Sequence, residues 1–438
     1  MMTASRAVES PRPQTAQALS HTSESPPALG PVAGRERIEV IDILRGVAVL
    51  GILMVNMGCF SLPDGLPGHQ LWPSMVERTV EKLILFFAQE KFRTLFSFLF
   101  GLGLAVQMMR AEARGVRFLP FYLRRLGILF LIGVAHFLFL WDGDIVHNYA
   151  VDGCILLLFR RRSLRTLLVW AGIFLSIPLL YFALTTGYAI TREVNPQIMK
   201  WNAFEDHPDE EQKLMQETRR IYSHGTYIET VKFRAPDLAG DTVPGIADSY
   251  ILGIFLLGVY AGRRGIFHDV RAHLPFFRRV QGWGLVAGVA GNAAFTVGGA
   301  FDPSASSIME NVGRMCLVVG APAMSCFYAS TLILLAQGER WRRRLAPLAA
   351  VGRMALSNYL LQSLICTTIF YGYGLSLFCK LRPSLGLLLT VIICLMQVLL
   401  SVWWMRRFRF GPIEWMWRSL TYWERQPMRV SRRPSPVA

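Results

Sequence analysis

Ten apolar stretches, most of them long enough to cross a bilayer, dominate this sequence. They fall at roughly 40–60, 83–108, 126–141, 145–159, 166–187, 246–262, 281–300, 311–336, 349–372 and 384–405. A transmembrane helix needs about 20 apolar residues, with a usual range of roughly 17–25. The third and fourth stretches are short by that measure and read as a hairpin turning at Trp141-Asp142-Gly143-Asp144. Segments of this kind must satisfy their own backbone polar groups in lipid, so they are helices. The expected fold is all-α: a polytopic integral membrane protein with about ten transmembrane helices.

Positive charge assigns the two sides. Arginine clusters occupy 110–125, 160–165, 263–279, 340–344 and 406–409, and the alternate loops are not basic. The long loop 188–245 leans acidic, with Glu205, Asp206, Asp209, Glu210 and Glu211 together. Both termini are therefore expected in the cytoplasm. The balance of 46 Lys and Arg against 30 Asp and Glu raises the question of nucleic acid. Its distribution in short clusters between bilayer-length apolar runs marks topology instead, and no nucleic-acid partner is expected. Only 17% of residues are charged, against about 25% in soluble domains. That excludes a single soluble domain and a disordered chain. The seven Cys have no C-x-x-C spacing and no His-rich neighbours, so neither a disulfide framework nor a metal site is expected.

Residues 1–37 contain no apolar run and read as a disordered cytoplasmic tail without the apolar region of a signal peptide. Residues 38–425 form the membrane domain, and 426–438 read as a second disordered tail. Within the outer loop 188–245, Leu214, Glu217, Ile221 and Tyr222 fall at helical spacing and predict a short amphipathic helix. Its acidic run reads as a solvated face. Residues 411–423 mix Trp with Arg, which suits a helix lying in the cytoplasmic interface.

An ionisable residue inside a span marks function unless it serves helix packing, where an interhelical hydrogen bond contributes about 0.6–2 kcal/mol. Arg45 and Asn56 lie about three helical turns apart, roughly 16 Å, on one face of the first span. A cation at the inner mouth below a polar group at depth suits an anionic, elongated ligand. The competing reading has Arg45 snorkelling to lipid phosphate beside Asp42. His136 follows Arg125 at the same interval. Alone it reads as a packing residue, but the hairpin after it supplies Asp142, Asp144 and His147. Asp144 is the candidate to orient an imidazole, as in a His–Asp dyad. Eight residues along a straight helix span about 12 Å, so that contact requires the turn to fold back. His147, just past the hairpin, and His69 are expected near the outer surface. Arg93 either leads a re-entrant break toward a cavity or begins a span whose preceding helix lies along the outer interface. Asn358 and Gln362, four residues apart above Arg353, either hold helices together or line a cavity.

Several of these runs resemble the YeiB-like family of bacterial inner-membrane proteins. They are Asp42-Ile43-Leu44-Arg45-Gly46 through Asn56, Thr94 to Gly103, Gly133-Val134-Ala135-His136 with Trp141 to Ile145, Val351 to Tyr359, and Gly411-Pro412-Ile413-Glu414-Trp415. The resemblance covers roughly residues 38–425 and implies a multi-pass plasma-membrane protein carrying a domain of unknown function. More distantly, Leu44-Arg45-Gly46 followed by a mid-span polar residue is similar to transmembrane acyltransferases, including heparan-α-glucosaminide N-acetyltransferase. In the polysaccharide-acetylating group ten residues separate the Arg from a His, whereas at the same interval from Arg45 this chain has Asn56, which takes no proton at neutral pH.

Two function classes follow. In the first, an acyltransferase moves an acyl group, with acetyl expected, from cytoplasmic acyl-CoA to an envelope glycan or lipid on the outer side. His136, Asp144 and Asn56 are its candidate catalytic residues. Arg45, Arg93, Arg353, Asn358 and Gln362 are its candidate substrate-binding residues. Acyl-CoA would be a co-substrate, and no permanently bound cofactor is expected. In the second, a small-molecule transporter or permease uses the same residues to line a pathway. A non-catalytic envelope role stands third.

Overall fold

The apolar runs close their own backbone hydrogen bonds as helices, and Gly-, Pro- and Asp-containing segments turn the chain between them. The computed structural model describes residues 39–63, 66–115, 117–194, 208–298 and 307–430. The N-terminal tail, the side chains of the acidic cluster 205–211 and residues 431–438 lie outside the described residues.

The first half holds α1 (Glu39–Ser61), α2 (Gly68–Leu71), α3 (Met75–Phe87), α4 (Lys91–Ala113), α5 (Phe118–Phe139), α6 (Val146–Leu156) and α7 (Leu164–Val194). Three helices fill the long loop: α8 (Pro208–His224), α9 (Tyr227–Arg234) and α10 (Asp237–Thr242). Then follow α11 (Ile246–Arg263), α12 (Leu274–Val297), α13 (Ser307–Leu335) and α14 (Glu339–Arg353). The chain finishes with α15 (Ala355–Phe370), α16 (Pro383–Met405) and α17 (Pro412–Tyr422). All regular structure among the described residues is helical. Among the described residues, each of the expected apolar stretches lies largely in one or two helices. Six helical segments are long and apolar enough to cross a membrane: 39–61, 75–113, 118–139, 164–191, 308–335 and 383–405. Val146–Phe159 and Ala355–Phe370 are shorter apolar helices.

Two boundaries differ from the sequence reading. The second stretch is broken at 88–90, where Glu90 takes a left-handed backbone conformation with φ 64°. Lys91, fully buried, donates its Nζ to the Leu85 carbonyl at 2.8 Å and fixes the break. Arg93 therefore lies in the first turn of α4 and not in a re-entrant loop. The third stretch starts earlier than expected, because the buried Phe118 and Tyr122, with stacked rings 5.0 Å apart, extend the apolar face of α5. Arg124 and Arg125 consequently sit inside that helix.

Close backbone contact builds the centre, as small residues allow in lipid. A Cβ on Gly258 would run into the Phe98 carbonyl oxygen, and one on Gly101 into that of Phe255, so α4 and α11 touch main chain to main chain. The segment 208–243 packs over the α5–α6 hairpin. Tyr222 donates to Asp142, the Tyr227 hydroxyl to the Phe139 carbonyl at 2.9 Å, and the buried Arg234 reaches the Phe137 carbonyl at 3.5 Å. The expected amphipathic helix is present as α8. It buries Ile221 and Tyr222, whereas Leu214 is exposed.

At the opposite, basic end, α17 docks across the bundle. Glu414 accepts from the Ser357 amide at 3.0 Å and from its hydroxyl at 2.5 Å. The Trp417 indole donates to the Arg125 carbonyl at 2.9 Å. Ordered chain extends past the boundary expected at 425: Arg409 N donates to the Met428 carbonyl at 2.9 Å, and Trp415 Nε1 to that of Gln426 at 2.7 Å.

Candidate functional site

Five elements bring arginines to one place at the basic end. Arg45 comes from α1, Arg110 and Arg114 from the end of α4, Arg125 from α5, Arg353 from the end of α14 and Arg418 from α17. Together with Asp42 and Glu414 they surround the mouth of a cavity of about 290 Å³. Arg45 Nη1 lies 3.6 Å from Asp42 Oδ1. The Arg125 guanidinium stacks over the Trp417 ring at 3.7 Å. Six guanidiniums against two carboxylates leave a surplus of positive charge, in a setting of reduced dielectric where it acts strongly. Further in, the walls become apolar, with Val49, Ile52, Phe96, Leu99 and Leu129. The deep end is closed by Ile145, Val146, Tyr149 and Tyr359.

Behind that end stands a buried triad of ionisable groups. His136 Nδ1 is 2.7 Å from Asp144 Oδ1, and His147 Nδ1 is 2.7 Å from Asp144 Oδ2. Asp144 Oδ2 also accepts the backbone N–H groups of Val146 and His147, each at 2.9 Å. A carboxylate that accepts from every side is a pure acceptor, so both imidazoles carry their proton on Nδ1. His136 Nε2 is buried and has no hydrogen-bond partner in the structure. The His136 ring lies 5.2 Å from that of Tyr359. Tyr359 donates to the Gly143 carbonyl at 3.2 Å and accepts from Ile145 N at 3.4 Å, which ties α15 to the hairpin. Tyr359, which lines the cavity, thus packs against the His136 ring.

The hairpin resolves the reach required of His136 and Asp144. Residues 140–145 fold back toward α5, and the tight approach of Gly133 to the His147 backbone lets α5 and α6 close on each other. His147, expected near the outer surface, is fully buried. His69 is held against α3 by Glu81, at 2.5 Å.

The other candidates separate into two groups. Arg45 and Arg353 line the cavity mouth. Asn56, Arg93, Asn358 and Gln362 are outside its lining. Asn56 is half-buried, one turn beyond Ile52 on α1. Arg93 is engaged with Glu90 at 2.8 Å. Asn358 donates to Ser401 Oγ at 3.0 Å, and Gln362 donates to Gln397 Oε1 at 2.9 Å and to the Val49 carbonyl at 3.3 Å. Those two amides join α15 to α16 and α1, the helix-packing alternative of the two that the sequence leaves open. Tyr149, Tyr359, Trp417 and Arg418 enter the site without having been singled out as site residues. The signal for Trp417 and Arg418 was the Trp–Arg mixture at 411–418, and for Tyr359 its place in the run Val351 to Tyr359.

Comparison with known proteins supplies the family. A model described as "Protein of unknown function (DUF418)" matches residues 261–424. "Uncharacterized protein YxaH" of Bacillus subtilis (strain 168) is 37% identical over 420 residues, covering 92% of this chain and 98% of that protein. "Uncharacterized protein YeiB" of Escherichia coli (strain K12) is 34% identical over 397 residues, covering 88% and 96%. The chain belongs to the YeiB-like family. Within this YeiB-like chain the DUF418 match takes in Arg353, Tyr359, Glu414, Trp417 and Arg418, while Arg45, His136 and Asp144 precede it. The cavity is thus built from both parts of the sequence. Membership by itself assigns no chemistry, which must come from the site.

Proposed function

We propose that this protein is a membrane acyltransferase that takes an acyl group, acetyl in the simplest case, from acyl-CoA in the cytoplasm and transfers it to an envelope glycan or lipid on the outer side. The basic end faces the cytoplasm by the positive-inside rule. On this reading both termini are cytoplasmic and ten helices cross the bacterial plasma membrane: the six long apolar segments, α11 and α12, and the short α6 and α15. The observation that carries the proposal is the cavity that changes from an arginine-lined mouth to apolar walls and ends at Tyr359, which packs against His136.

Such a gradient matches the donor. The phosphates of acyl-CoA suit Arg45, Arg110, Arg114, Arg353 and Arg418, whose planar forks bind phosphate bidentately. The Arg125–Trp417 stack offers a flat face to the nucleobase. The pantetheine arm suits the apolar walls, which bring the thioester toward Tyr149 and Tyr359. There a tyrosine hydroxyl can donate to the developing oxyanion. His136 Nε2, its lone pair directed by the Nδ1–H bond to Asp144, takes the proton of the acceptor hydroxyl or amine as the carbonyl is attacked. It then returns that proton to the leaving thiolate. Rotation of Tyr359 off the hairpin opens the path between cavity and imidazole.

The test is turnover by purified protein in proteoliposomes supplied with acetyl-CoA on the arginine side. Saturable release of free thiol, lost in His136→Gln, is the expected result. Accumulation of a small molecule without covalent change would instead identify a permease.

A further inference from the structure

The hairpin holds a second imidazole that the transfer step does not use. His147 Nδ1 shares Asp144 with His136, and its Nε2 lies 3.1 Å from Asp241 Oδ2 on α10. The side chains of His136, Asp144 and His147 are wholly buried, whereas that of Asp241 is 42% exposed. The approach of Asp241 is that of an ion pair and not of an aligned hydrogen bond. Asn148 Nδ2 also donates to Asp241, at 3.2 Å. Phe130 and Phe137 of α5 pack edge-to-face against its ring, and the charged groups acting on it are Asp144 and Asp241. The ionisable groups around it are therefore His136 across Asp144, Asp144 itself and Asp241.

We infer that Asp144 supports one imidazolium at a time, shared between His136 on the cavity side and His147 on the outer side, with Asp241 as the route by which His147 exchanges its proton with outside water. The asymmetry is geometric. His147 has a carboxylate at each nitrogen and His136 has one, so the resting proton belongs to His147. Two imidazoliums on one buried carboxylate would repel each other strongly at low dielectric. When His136 Nε2 takes the acceptor's proton, His147 Nε2 gives one up to Asp241 and on to water. When His136 hands its proton to the departing thiolate, His147 recovers one from outside. No proton is gained or lost over the cycle. His147 and Asp241 are positioning residues, and they make transfer sensitive to the outer pH.

This rests on the acyltransferase reading, but the proton assignment is testable without it. The full chain, labelled with ¹⁵N-histidine and placed in lipid nanodiscs, is titrated by NMR. A buried imidazolium signal is expected at neutral pH, retained in His136→Gln and lost in His147→Gln. Asp241→Asn, a conservative change at an exposed site, is expected to lower its titration midpoint by about one pH unit, the effect of removing one nearby opposite charge. An unchanged midpoint in Asp241→Asn, or survival of the signal in His147→Gln, overturns the proposal. With acetyl-CoA, the low-pH loss of turnover on the outer side should move down by the same interval in Asp241→Asn. Wild-type protein that never releases thiol would remove the transferase reading, while the NMR titration would still decide the shared imidazolium.

Discussion

Arg45 is one of six guanidiniums at the cavity mouth, and a hydrogen bond to a charged group contributes about 1.5–3 kcal/mol. Arg45→Ala is expected to weaken coenzyme A binding by about tenfold or more, with Arg45→Lys intermediate because an ammonium lacks the planar fork. Titration calorimetry on the purified protein measures this, and equal affinities would take Arg45 out of the site. His136→Gln keeps size and one hydrogen bond but removes the base. Turnover should fall by about 10²–10⁴ with the thermal midpoint little changed, and Asp144→Asn should slow it less. Normal turnover in His136→Gln would return that residue to helix packing. The dyad was legible in the sequence because its members lie eight residues apart around a Gly-containing turn. Tyr359 was not, since its contact with Gly143 joins positions 216 residues apart. Asn358 and Gln362 stayed open between two readings for a related reason: a polar face on a helix looks the same whether it meets a cavity or another amide.

Helices α4 and α11 meet main chain to main chain, and both face the polar centre: Thr94 bonds Tyr250 at 2.6 Å, and Ser97 bonds Tyr149 at 2.5 Å. Gly258→Leu must push them apart, at a cost of about 1–3 kcal/mol for an overpacked core. A lowered thermal midpoint together with weakened coenzyme A binding is the expected outcome. An unaltered midpoint would mean that the two backbones are not in contact. The helices themselves were readable from their apolar runs, and α17 from its Trp–Arg mixture. The break at 88–90 was not resolved, because it depends on Lys91 folding back to the Leu85 carbonyl, and a buried lysine inside an apolar run reads equally as either alternative.

At the scale of the whole molecule, two of the arginine-rich loops meet directly, with Arg263 donating to the Arg162 carbonyl at 2.5 Å, and the cavity opens among others. A reporter fused after Ala438 should be accessible only from the cytoplasm; exposure of that reporter outside would invert the assignment of sides. Alternating charge is what assigns the sides, whereas the cavity was not legible, because its lining is drawn from helices far apart in sequence. The central claim is that the cavity holds acyl-CoA, and a structure of the full chain with a non-hydrolysable acetyl-CoA thioether tests it most directly. The account predicts phosphates among Arg45, Arg110, Arg353 and Arg418 and the thioether sulfur beside Tyr149 and Tyr359. A cavity left empty at saturating ligand, or filled with the phosphates at the tyrosine end, would contradict it.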